Sequence, residues 1–115
     1  MAGLLRSVKS PQRQMSLVGF AVLDTAGTLS LESGATDGTI TDQGTGVFDI
    51  TFTQPFDRVP FVAVTPKEAN AIGYIVKAET TALKCRITIT EADGSTAEDA
   101  SCDVIVLGSF ASDEV

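Results

Sequence analysis

The chain has 115 residues, 43% of them hydrophobic, with a net charge of −7 and a sequence pI near 4.3. That is enough for one packed domain and too few for two, and the hydrophobic share argues against global disorder. The acidic balance argues against nucleic acid as a partner, since a binder needs a basic face to displace counterions from phosphates. No apolar run approaches the ~18–20 residues of a membrane helix, so no membrane partner is expected. The Leu4-Leu5 pair is far short of the ~7–15 apolar residues at the centre of a signal peptide, which predicts a chain that stays in the cytoplasm when made.

Residues 1–15 lack strand alternation. Leu4, Leu5 and Val8 would fit one amphipathic turn, but Pro11 interrupts it. The segment reads as an extended or partly helical N-terminal arm. It holds Arg6, Lys9 and Arg13 and no acid, whereas from Glu91 onward seven acids stand without a base. Such asymmetry suggests a docking arm. Its candidate partner contacts are Leu4, Leu5, Arg6, Val8, Lys9 and Arg13.

Residues 16–23 form a near-continuous apolar run, the pattern of a strand buried on both faces or at a subunit contact. Asp24 to Gly27 reads as a turn. Residues 28–33 alternate, with Leu29 and Leu31 on one face. Residues 34–46 are dense in Gly, Thr and Asp and read as loop, with one weak strand at residues 39–41. The stretch 46–64 is strand, corner, strand. Phe48, Ile50 and Phe52 alternate with Asp49 and Thr51, which predicts one buried and one wet face. Pro55 ends that strand and Pro60 opens the next, because neither can donate to a ladder. Phe56 lies in the corner between them and is expected to plug one end of the core. Phe48, Phe52, Phe56 and Phe61 are expected to supply most of the aromatic burial.

Residues 72–79 predict a strand with Tyr74, Val76 and Ala78 on one face, Tyr74 reading as core. Residues 82–92 predict its hairpin partner, with Leu83, Cys85, Ile87 and Ile89 facing in and Lys84, Arg86, Thr88 and Thr90 facing out. Residues 93–101 are a polar loop. Residues 102–110 are a last, mostly apolar and central strand, and residues 112–115 an acidic tail. Seven or eight short strands, regular turn signals and no helix predict an all-β fold. The expected architecture is an antiparallel β-sandwich or jelly-roll-like barrel over residues 16–111.

Few residues point to chemistry. With no histidine, the commonest general base and the Ser-His-Asp and Cys-His arrangements are absent, so no catalytic residue is assigned and no enzyme is expected. Cys85 and Cys102 read as buried, reduced thiols. They lack the spacing of a metal site, and no metal or other cofactor is expected. Asp93, Ser95, Glu98, Asp99 and Asp103 form an oxygen-rich cluster whose spacing does not fit an EF-hand loop, and a solvated acidic loop is the simpler account.

Three stretches carry a family resemblance. They are GTGVFDITFTQPFDRVPFVAVTP, GYIVKAETTALKCRITITEADG and DVIVLGSF. Together they resemble a pattern in small β-sandwich virion proteins of tailed bacteriophages: a Gly-rich lead into a strand, a Pro-Phe corner, a P-x-V-x-V-T-P strand, a hairpin and a last strand ending near Gly. The likeness spans residues 44–110, and a basic, partly apolar leader also fits that group. It implies a virion structural protein, assembled in the host cytoplasm. It leaves open a capsid decoration (cement) protein or a tail-fibre, H-type-lectin-like domain. The first implies the major capsid protein as partner and a homotrimer at local threefold positions, with the apolar runs 16–23 and 102–110 suited to an oligomer core. The second implies carbohydrate binding by loops such as 34–46 and 93–101.

Overall fold

The computed structural model describes residues 15–25 and 27–111. Among the described residues eight strands make two four-stranded antiparallel sheets, the β-sandwich expected. The strands are β1 (Ser16–Thr25), β2 (Thr28–Ser33), β3 (Gly38–Gly44), β4 (Val47–Phe52), β5 (Phe61–Pro66), β6 (Ala71–Ile75), β7 (Lys84–Glu91) and β8 (Cys102–Gly108). The first sheet runs β2-β1-β8-β5 and the second β3-β4-β7-β6. The chain changes sheets at one edge between β2 and β3 and at the other between β5 and β6. The expected arm lies outside the described residues, as does the acidic tail.

The core lies between the sheets. Phe20 and Val22 of β1 and Val104 and Val106 of β8 meet Phe48 and Ile50 of β4 and Ile87 and Ile89 of β7. Each set comes from alternate positions of its strand, so period-2 patterning selects the inward face. As expected, β8 is central, paired with β1 on one side and β5 on the other.

Phe56 closes one end, as its place between the prolines predicted. It is buried, its ring stacks on Phe110 at 4.7 Å and meets Phe52 edge-on at 5.0 Å. Its N–H donates to the carbonyl of Ala82 at 2.9 Å, so the corner leaves that donor satisfied. Gly108 is required beside it: a Cβ there would stand 2.7 Å from the Phe56 ring.

Several local expectations are corrected. The Gly-rich stretch 34–46 holds a seven-residue strand, β3, because pairing with β4 fixes a segment whose own propensity is weak. The strand starting near residue 72 ends at Ile75, and Lys77–Glu79 form a 3₁₀ turn. Leu83 precedes β7 and is exposed, although Cys85, Ile87 and Ile89 face in as expected. Tyr74 is 46% exposed on the outer face of β6, not core. Phe61 is 72% exposed, because Val62 and Val64 take the inward positions of β5 and parity turns Phe61 out. Phe20 takes its share of the aromatic core.

Candidate functional site

The two outer faces of the sandwich differ, and the difference follows from strand register. On the second sheet β4 pairs with β3 and β7, which aligns Thr41, Asp49 and Arg86 in one row. Asp49, expected on a wet face, is 3% exposed. Arg86 covers it with a two-pronged contact, Nε to Oδ1 at 2.8 Å and Nη2 to Oδ2 at 3.1 Å. Lys84 Nζ reaches Oδ2 at 3.2 Å, and Gln43 Nε2 donates to the same oxygen at 3.1 Å. Glu79 from the 3₁₀ turn stands 4.0 Å from Lys84 and 3.9 Å from Arg86. Burial pushes the Asp49 carboxyl up, but the hydrogen bonds and charges of Arg86 and Lys84 outweigh it and hold the group below the usual carboxylate range. The cluster of two acids and two bases is neutral, and its oxygens are turned to their own cations. It ties β4 to β7 and to the turn before β7.

The outer face of the first sheet is apolar. Register places Leu17, Leu107 and Phe61 in one row across β1, β8 and β5, and Gly19, Ile105 and Ala63 in the next. Leu17 is 68% exposed, Phe61 72% and Ile105 46%. A cleft of about 240 Å³ continues the face, lined by Met15, Val59, Phe61 and Leu107 among others. Among the described residues, 16–23 are therefore buried on one face only and nothing covers their second apolar face. These two rows hold no charge; the next row, Ala21, Asp103 and Thr65, brings Asp103, paired with Lys67 at 3.0 Å, and exposed Glu32 stands beside it at the β2 bulge.

The acidic loop spends its oxygens on itself. Asp93 Oδ1 accepts from the N–H groups of Ser95 and Thr96, both at 2.9 Å, and Oδ2 from the Thr96 hydroxyl. These bonds lower the Asp93 carboxyl to about 2, the Thr96 hydroxyl contributing most. Asp99 Oδ1 accepts from the N–H of Gly46 at 2.7 Å, which fastens the loop to the start of β4. Gly46 has φ +72°, and a Cβ there would sit 2.5 Å from the carbonyl of Ile89, so only glycine fits. Glu98 is pushed up by burial and by the neighbouring Glu68 and Glu91. Among the described residues no group of three or more His, Cys, Asp or Glu is placed to hold a metal ion.

Cys85 and Cys102 are free and buried, and burial pushes both thiols up to about 12. Protonated and enclosed, they pack as small hydrophobes. A second cavity, about 320 Å³, opens at the Phe56 end between Leu17, Asp37, Phe52, Gln54 and Phe110. No helix among the described residues is long and apolar enough to cross a membrane.

Leu4, Leu5, Arg6, Val8, Lys9 and Arg13, the contacts read from the sequence, lie outside the described residues. The surfaces that the fold assembles are ones the sequence reading missed in part. Parity within β5 was the available signal for Phe61: with Val62 and Val64 inside, it must face out. The Asp49–Arg86 pairing had no such signal, because it depends on the register of strands more than thirty residues apart.

The class that fold and surfaces define is a two-sheet antiparallel sandwich with an ion-paired cluster on the outer face of β4 and β7 and apolar rows on the outer face of β1, β8 and β5. No family model, no curated protein and no solved structure matches the chain.

Proposed function

We propose that this protein is a structural component of a tailed-phage virion, a capsid decoration protein that binds the outer capsid surface and stabilises the head without chemistry of its own. One observation carries the reading: the uncovered apolar face of the first sheet, centred on Leu17, Ile105, Leu107 and Phe61. A two-layer sandwich that lives alone in water keeps polar residues on its outer faces, and β3, β4 and β7 of the second sheet do so. A face of this kind suits a protein held by neighbours. The resemblance of residues 44–110 supplies the kind of assembly. In this reading the basic, apolar leader grips the major capsid protein through Leu4, Leu5, Arg6, Val8, Lys9 and Arg13. The body assembles as a homotrimer, and the acidic remainder faces outward.

The test is deletion of residues 1–15. The truncated chain is expected to keep the circular dichroism of the sandwich and to lose co-sedimentation with capsids. Normal capsid binding by the truncated chain removes the arm from the proposal. Immunogold labelling of virions separates head from tail.

A second reading, a carbohydrate-binding module of a tail fibre or tailspike, has Tyr74 in its favour, since an exposed aromatic offers a stacking face to a sugar. Specific binding on a glycan array, lost in Tyr74→Ala, would put that reading first.

A further inference from the structure

From the relief of the outer face of the first sheet we infer that it is the surface through which copies of this chain join, a large-residue ridge of one copy entering hollows of the next. The inference goes beyond the proposed function and does not depend on it, since a face that is its own complement joins two copies.

The relief comes from the register. Leu17, Leu107 and Phe61 form a continuous ridge across β1, β8 and β5. The adjacent row is Gly19, Ile105 and Ala63, one large residue between two small ones. Among the described residues nothing lies within 4 Å of where a Gly19 Cβ would be, so they leave that hollow open. Ridge and hollows stand side by side on one face. Facing sheets pack by interdigitating such rows, and here one surface supplies both halves of the fit.

Size agrees. At their exposures Met15, Leu17, Val59, Phe61 and Ile105 leave apolar surface on the order of 500 Å², near the top of what the largest patch on a monomer reaches.

Charge also agrees. A chain of net charge −7 repels its copies unless the contact is neutral. At the two ends of this face Asp103 pairs with Lys67 at 3.0 Å and Asp57 with Arg58 at 3.7 Å, and exposed Glu32 lies at its margin on β2. Between those ends the rows hold no charge, the composition of an interface core. The relief thus matches a second copy better than a basic or acidic partner.

Sedimentation velocity of the full chain, from low to ~100 μM in physiological salt, tests the inference. Wild type is expected as a dimer, at twice the 12.0 kDa of one chain, since a single surface that supplies both halves of the fit closes with one second copy. Leu17→Ser/Phe61→Ser removes the ridge and is expected to weaken association at least about tenfold. Gly19→Arg fills the hollow from a position with free space in its own copy and is expected to give monomers. Circular dichroism melts of both variants confirm that the sandwich persists. Monomeric wild type at the highest concentration overturns the inference, and so does an oligomer that both folded variants leave intact. A dimer abolished by the same substitutions upholds the face and removes the threefold stoichiometry from the proposed function. Capsid binding plays no part in these measurements, so the interface and the virion reading fail separately.

Discussion

Asp49 is the residue whose environment departs most from what its position in the sequence implies. A carboxylate on an outer sheet face is ordinarily solvated, yet this one is covered by Arg86, Lys84 and Gln43. Removing its charge leaves two cations facing an amide. Asp49→Asn is therefore expected to cost about 1–3 kcal/mol at neutral pH, the scale of charge-assisted hydrogen bonds that keep partial access to water. The folded carboxyl titrates below its unfolded value near 4. Its contribution is then fully present above pH ~4 and disappears as pH falls through the lower folded value. Urea midpoints of wild type and variant should converge as pH falls from ~4 through the lower folded value. A difference that stays constant to the lowest pH would mean that lost packing, and not charge, explains the variant.

At the scale of the element, the corner between β4 and β5 shows what was legible. Two prolines and a phenylalanine fix a strand end, a turn and a plug by local rules, and Phe56 does close the core. Phe56→Ala removes a ring that touches Phe52 and Phe110 and lies against Gly108, whose missing side chain makes the space. The expected loss is about 3–5 kcal/mol, read by equilibrium urea unfolding at unchanged m-value. A loss below about 1 kcal/mol would show that the corner is not part of the core. Within β7 the inward turn of Cys85, Ile87 and Ile89 was legible, because period 2 is a property of one strand, whereas Thr90, read as outward, is buried. Properties of strand pairs were not legible. The stretch 38–44 became a strand only through β4, Asp49 became buried only through the register of β7, and the hollow at Gly19 gains meaning only beside Ile105 and Ala63. Phe61 lies between these cases. Counting aromatics placed it inside, whereas alternation with Val62 and Val64 placed it outside.

At the scale of the molecule, the two proposed contacts differ in physics, and salt separates them. The chain carries −7 overall, and its leader concentrates Arg6, Lys9 and Arg13 in residues without an acid. Contact between copies through Leu17, Leu107 and Phe61 brings apolar rows together against the repulsion of two anionic bodies. Added salt shortens the Debye length from about 10 Å at 0.1 M to about 3 Å at 1 M, which removes that repulsion and leaves apolar burial intact. Self-association is therefore expected to tighten as salt rises. Attachment through a cationic leader has the opposite sign, since the same screening weakens attraction between the leader and a capsid surface of complementary charge. Sedimentation and capsid co-pelleting across one salt series should diverge: the oligomer persists or grows while capsid-bound protein falls. If both weaken together, copies are joined by charge and the apolar face is not their contact. If both strengthen, Leu4, Leu5 and Val8, and not the three cations, do the gripping.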